Sequence, residues 1–403
     1  MLTLRRQELP PTAGLPLRAR DLFPGPPSLA VDLAALLGTP PLQLECSGTA
    51  CLLIALTALR ELQPQRRRVV VPAYTCPLVA IAVQQAGLEL QLCDLRAGHY
   101  DMDPQALRAI CDERTLAILP THLAGRVANV GDALKVAREV GAYVIEDAAQ
   151  ALGARHHGIS VGLAGDIGFF SLAAGKGLSI YEGGLLLARD PALRARLAET
   201  AARIVPRRMG WECRRSIELL GYAALYRPRG LRLAYGRPLR RALRRGDLVA
   251  AVGDDFALTI PLHRVGRWRQ GVGAHAASRL PGFIAQTTTR AQRRLPRLRQ
   301  IEGVEVFDDA AGTQGAWPFL LLLLPDQTSR DRALKQLWQS GLGVSRLFIH
   351  ALPDYAYLAG IVSPQDVPHA RDFAARSLSI GNSPWMTDED FETICLELET
   401  ALS

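Results

Sequence analysis

The chain has 403 residues and a formal net charge of +8, with 48% hydrophobic and 21% charged side chains. That length predicts two or three domains, and that composition excludes a disordered chain. No uncharged apolar run approaches the ~18–20 residues of a membrane span. The amino end lacks the apolar core of a secretory signal, and the seven scattered cysteines form no Cys-x-x-Cys pair; these features predict free thiols in the cytoplasm and no metal site.

Residues 1–28, rich in proline and arginine, read as an extended arm. Short apolar runs follow, Val69-Val-Val-Pro72, Leu88-Glu-Leu-Gln-Leu-Cys-Asp94, Leu116-Ala-Ile-Leu-Pro120 and Ala142-Tyr-Val-Ile-Glu-Asp147. Between them the apolar spacing predicts helices near 48–62, 77–86, 103–112 and 130–141. Strands alternating with helices predict an α/β fold with a mostly parallel sheet covered on both faces. A strand pair is expected around 166–171 and 183–188, completing a large domain over 29–200. An arginine-rich insertion is expected over 201–262. Residues 263–403 read as a helical connection (about 264–300) and a small α+β carboxyl-terminal domain, with strands at 317–324 and 344–348 and helices near 329–340 and 387–401.

Only three of the 47 basic residues are lysines: Lys135, Lys176 and Lys335. Lys135 and Lys335 take polar slots of helical patterns and read as solvated. Lys176 lies in Ser171-Leu-Ala-Ala-Gly-Lys-Gly177, apolar and flanked by glycine. A desolvated ammonium loses its proton more readily and becomes a usable amine nucleophile; a plain loop lysine is the alternative. Asp147 ends a strand, where parallel sheets bind ligands, and would either hold a protonated pyridine nitrogen or cap a helix. Gln150, three residues on, would complete a capping box or face the same ligand. Ser47-Gly-Thr-Ala50 precedes an apolar helix and offers a phosphate site at its amino end, or an ordinary cap. No Gly-x-Gly-x-x-Gly or Walker A pattern is present.

A phosphate cradle, a strand-end aspartate and a glycine-flanked lysine, in that order, are the components of a pyridoxal 5'-phosphate (PLP) enzyme. The chain resembles the DegT/DnrJ/StrS-type sugar aminotransferases, fold type I PLP enzymes. The matching segments are Ser47-Gly-Thr-Ala50, Pro72-Ala-Tyr-Thr75, Pro120-Thr-His-Leu-Ala-Gly125, Ile145-Glu-Asp-Ala-Ala-Gln-Ala151, Gly165-Asp-Ile-Gly-Phe-Phe-Ser171, Lys176, Glu182-Gly-Gly184 and the tail Ser377–Asp390. The resemblance implies that Lys176 forms the internal aldimine and later shuttles a proton. It implies that Asp147 pairs with the pyridine nitrogen, that Gln150 contacts the ring or its hydroxyl, and that Gly48, Thr49, Ala50 and Ser171 hold the phosphate. It implies amino transfer, usually from glutamate, to a nucleotide-linked keto-sugar, in a homodimer.

Three features depart from the family. Cys76, taken here as cofactor-lining, stands where the family often stacks an aromatic ring on PLP, so Tyr74 or another residue would cover that face. The family's Gly-x-Asn-x-Arg segment, whose asparagine reaches the neighbour's phosphate, is not evident; Gly253-Asp-Asp-Phe-Ala257 would put an acid there. Residues 203–245 hold 13 arginines against two acids and have no counterpart. That band would be a solvated face, a contact to phosphate or a subunit, or a peripheral contact with an anionic membrane presenting the acceptor. Pro228 and Pro238 are expected to break any long amphipathic helix in it. Nucleic acid is not expected as a partner, because no binding motif accompanies the charge. A PLP-dependent sugar dehydratase is the remaining enzymatic alternative, but such relatives tend to replace the lysine with histidine.

Overall fold

The computed structural model describes residues 7–23 and 25–403. Seven strands, Gln43–Glu45, Arg68–Pro72, Glu89–Cys93, Thr115–Ile118, Tyr143–Asp147, Ile167–Ser171 and Gly184–Ala188, form the main sheet. The order across it runs 43–45, 184–188, 167–171, 143–147, 115–118, 68–72, 89–93. The five strands from 167–171 to 89–93 are mutually parallel, and the two at the other edge are antiparallel. The inner parallel strands are mostly buried apolar runs, as burial on both faces requires, whereas the edge strand Glu89–Cys93 alternates and is exposed at its start. The helix Gly48–Leu62 is buried at every position from 50 to 59 because it lies inside the fold. The segments leaving the carboxyl ends of strands 68–72, 115–118, 143–147 and 167–171 supply residues 73–76, 119–124, 148–150 and 172–176, and the candidate site is built from these.

A second sheet, antiparallel, orders Glu305–Val306, Phe319–Leu323, Ser377–Gly381 and Val344–Ser345. Helices Gln327–Leu337 and Asp388–Leu402 enclose its apolar cluster, which includes Leu320, Leu322, Leu378, Ile380, Ile394 and Leu398. The predicted 264–300 stretch is two helices, Arg267–Ala277 and Leu280–Arg299.

The arm expected over 1–28 is described from residue 7, apart from residue 24, and runs as a strap across the body. Leu9, Ala13, Leu15 and Leu17 are buried. Its N–H groups bind across the molecule, from Glu8 to Pro228 O (2.9 Å), Leu9 to Gly341 O (2.8 Å), Ala13 to Pro318 O (2.7 Å) and Leu15 to Gly177 O (2.9 Å).

The arginine band is helical: Met209–Leu225, Pro228–Leu231, a π-helical turn Arg232–Gly236, and Arg237–Arg244. Pro228 begins a helix, as expected, but Pro238 breaks nothing. The wider π turn ahead of it absorbs the missing N–H and the ring clash, so the chain stays helical through Arg244.

Candidate active site

Successive side chains of a strand point to opposite faces, and this sets Glu146 and Asp147 apart. Glu146 accepts from His122 Nε2 (2.9 Å), Gly162 N (2.8 Å) and Gly165 N (2.7 Å). Ala128 N donates to His122 Nδ1 (3.0 Å), which leaves Nε2 as the protonated donor. Burial opposes ionisation of Glu146, yet the His122 contact and the two backbone N–H groups hold its carboxyl below the usual range. Asp147 is presented to the other face. Its Oδ1 accepts from Ala149 N (3.0 Å), and its backbone is fixed to Pro120 O (3.0 Å) and His122 N (2.9 Å). No helix follows it, so the carboxylate closes a short turn instead of capping a helix. Burial raises its pKa, opposed by the Ala149 N–H and by neighbouring Lys176.

Lys176 stands on the tight connection between strands 167–171 and 184–188. Its N–H binds Ala173 O (3.2 Å), and the loop is closed by Leu172 N to Gly183 O (2.7 Å) and Ala174 N to Tyr181 O (3.0 Å). Gly175 has φ +77°, and a Cβ there would lie 2.5 Å from Thr12 Oγ1, so glycine lets the strap cross the loop. The Lys176 ammonium makes no hydrogen bond or ion pair with a described residue. Burial lowers its pKa, against the opposing pull of Cys76 and Asp147. Cys76, which precedes the helix Pro77–Gln85, is pushed up to about 12 by burial, with Asp254, Lys176 and Asp147 acting on it. Four separate segments thus place Cys76, Asp147, Lys176 and Asp254 within one electrostatic neighbourhood. Lys135 and Lys335 are exposed, as their patterns predict.

Ser47 caps the helix Gly48–Leu62, its Oγ accepting from Ala50 N (2.9 Å). Ala50 therefore spends its N–H on the cap, while the N–H groups of Gly48 and Thr49 remain without an intrachain acceptor among the described residues. A Cβ at Gly48 would lie 3.2 Å from Ser171 Cβ. The helix end and the Ser171 hydroxyl are that close only because residue 48 is glycine. Two free backbone donors, a positive helix end and a hydroxyl fit a phosphate. A depressed-pKa amine and a buried carboxylate fit the aldehyde and pyridine nitrogen of PLP.

Gln150, Tyr74 and Asp254 are each held by a partner within the chain. Gln150 caps no helix: its Oε1 accepts from Ala124 N (2.8 Å), pinning the 119–124 segment. Tyr74 does not cover the face left by Cys76. It is fully buried, with its hydroxyl on Phe348 (3.1 Å to N) and its ring edge-on to Phe348 and Phe373. In Gly253-Asp-Asp-Phe-Ala257 the asparagine's position falls on Asp255, which is exposed, while the adjoining Asp254 turns into its own chain: Oδ2 accepts from Tyr355 Oη (2.6 Å) and Ile349 N (3.0 Å), and Tyr357 Oη donates to its carbonyl (2.6 Å). Tyr355 and Tyr357 were not singled out by the sequence; the only signal is the aromatic pair in Asp354-Tyr-Ala-Tyr357.

The DegT/DnrJ/EryC1/StrS aminotransferase family model matches residues 28–217 and 269–399, leaving out most of the arginine band. Protein MosB of Rhizobium meliloti is 39% identical over 153 residues, 38% of this chain and 30% of MosB's own length. GDP-perosamine synthase of Caulobacter vibrioides is 26% identical over 361 residues, 88% of this chain and 84% of that protein. In structure the chain is similar to the putative sugar aminotransferase Spr1654 of Streptococcus pneumoniae. For the PMP form the TM-score is 0.74 at 15% identity, covering 98% of each chain. For the PLP form it is 0.72 at 16%. The fold is that of fold type I PLP aminotransferases, and the chain belongs to the DegT/DnrJ/EryC1/StrS aminotransferase family.

Proposed function

We propose that this aminotransferase uses PLP to move an amino group from glutamate to the keto group of a nucleotide-linked sugar, and that it works as a homodimer. The observation that carries the reading is the electrostatic interaction of half-buried Lys176 with buried Asp147, together with the close approach of Gly48 to Ser171. The similarity to GDP-perosamine synthase supports a nucleotide-linked sugar as acceptor.

When bound, PLP supplies an electron sink that makes a carbon next to nitrogen acidic. Lys176 Nζ, biased by burial toward its uncharged form, is the nucleophile that holds the cofactor and the base that takes up and returns a proton at that carbon. Asp147, fixed by Ala149 N and the adjoining backbone, holds the proton on the ring nitrogen. Gly48 N, Thr49 N and Ser171 Oγ bind the phosphate, with the Ala50 N–H reserved for the cap. Gln150, anchored to Ala124, and Cys76 would line the bound ring.

The test is incubation of the purified protein with PLP, L-glutamate and a panel of GDP-, UDP- and dTDP-linked keto-sugars, with products read by mass spectrometry. An amino-sugar nucleotide supports the reading. A deoxygenated keto-sugar without glutamate consumption would make the chain a dehydratase.

A further inference from the structure

The helix Met209–Leu225 has two faces of opposite character. Leu219 and Tyr222 are buried against the body. Met209, Cys213, Ile217, Leu220 and Ala224 are exposed, Met209 by 73% and Ile217 by 69%. At 100° per residue these five positions fall within about 80° of arc, so they form one continuous apolar stripe. Six of the twelve large apolar side chains exposed among the described residues lie within residues 209–248, a tenth of the chain. Scattered exposed leucines need no explanation, but such concentration does.

The charges around the stripe are equally one-sided. Arg207 and Arg208 enter the helix, and Arg227 and Arg229 leave it; all four are exposed and form no ion pair with a described residue. The same holds for Arg237, Arg241 and Arg244 on the following helical run, which also exposes Leu233. Arg203, Arg214, Arg215 and Arg240 are instead tied to Glu61, Glu218, Glu182 and Glu8. The band therefore divides into arginines that hold the fold and arginines that face outward unpaired.

We propose that this face is a docking surface for an anionic lipid bilayer, with the 209–225 stripe entering the headgroup boundary and the unpaired arginines neutralising lipid charge. A helix with an apolar stripe flanked by arginine lies in the interface plane of such a surface. A second copy of the chain suits it less well, because a two-fold contact sets the same basic patch against itself. A nucleic acid backbone would satisfy the arginines and leave the stripe in water. No helix among the described residues is long and apolar enough to cross a membrane, so the contact is peripheral.

Cys213 is the exposed cysteine, the others being buried or half-buried, and it sits in the stripe. The full chain, labelled there with a polarity-sensitive fluorophore, is mixed with vesicles of pure phosphatidylcholine or of phosphatidylcholine with roughly 30% phosphatidylglycerol. Sedimentation and fluorescence are read at about 0.05 M and about 0.5 M salt. Binding and a blue shift are expected with the anionic vesicles only, weaker at high salt. Replacing Arg237, Arg241 and Arg244 by alanine should weaken binding about 100-fold. Ile217→Asp with Leu220→Asp should abolish both signals while leaving the thermal unfolding curve unchanged, since both positions are exposed. Three results would overturn the proposal: no binding, equal binding to both vesicles, or a concentration-dependent blue shift without lipid that the double aspartate variant removes together with an oligomer.

Discussion

His122 Nε2 lies 2.9 Å from Glu146 Oε2, with both side chains excluded from water, and Glu146 is the residue next to Asp147. The pair pins one face of the strand end and thereby aims the neighbouring carboxylate at the other face. A carboxylate set on a loop would lack this anchor.

His122→Ala removes the donor and leaves Glu146 as a buried, poorly compensated charge, which should cost about 3–5 kcal/mol of stability at pH 7. Because the folded Glu146 carboxyl titrates below its ordinary value, its contribution is present above that value and lost as pH falls through the depressed one. The stability gap between wild type and variant, measured by urea unfolding, should therefore narrow below pH ~4.5. A gap that stays constant with pH would show that the pair acts by packing alone.

Lys176→Ala should eliminate borohydride-fixed PLP while leaving non-covalent binding, because the phosphate contacts are on other residues. In the wild type, fixation should persist at pH values below the ordinary lysine range, since burial lowers the Lys176 pKa. Mass spectrometry of the reduced protein checks both. A PLP adduct on Lys135 or Lys335 in the variant would move the chemistry elsewhere.

Gly48→Val is the complementary change. Its Cβ would start 3.2 Å from Ser171 Cβ, and its branches would fill the space over the helix end. PLP affinity should fall at least about tenfold, by loss of good phosphate hydrogen bonds, with covalent fixation still seen at saturating PLP. Unchanged affinity would exclude this helix end as the phosphate site.

Asp254 gives a pH test in the opposite sense. Burial, opposed by Tyr355, Ile349 N and Arg346, pushes its carboxyl up to about 6 from 3.8. A raised folded value means stability fully present below the unfolded value and lost as pH rises through about 6. Asp254→Asn keeps an acceptor oxygen for Tyr355 and Ile349 N without the charge. Its stability relative to wild type should improve between pH 4 and pH 8 by up to ~3 kcal/mol, followed by thermal or urea unfolding.

The strands of the parallel sheet were legible because each is a short apolar run bounded by turn residues, and the helices between them because their apolar spacing is regular. Lys176 was legible by scarcity, with only two other lysines to compete. What the sequence hid was direction and partner. Tyr74 looked like a ring near the site, but its hydroxyl found Phe348 and Ser377 across 274 and 303 residues and drew it into the core. Gly253-Asp-Asp-Phe-Ala257 looked like a segment for a neighbour; its third residue, Asp255, is exposed, while Tyr355, 101 residues away, holds Asp254 beside it. The arm was read as extended, but where it docks was hidden because its buried apolar residues are spread among prolines and its hydrogen bonds go to remote carbonyls. Pro238 was misread because a π turn has no sequence signature that outweighs proline.

The most direct test of the central claim is a half-reaction: the PLP-loaded protein is mixed with L-glutamate and followed by absorbance while 2-oxoglutarate is assayed. The account predicts loss of the PLP absorbance, appearance of pyridoxamine phosphate and release of 2-oxoglutarate in equal amount, all absent in Lys176→Ala. Unchanged absorbance and no 2-oxoglutarate from a protein shown to hold PLP on Lys176 would contradict it.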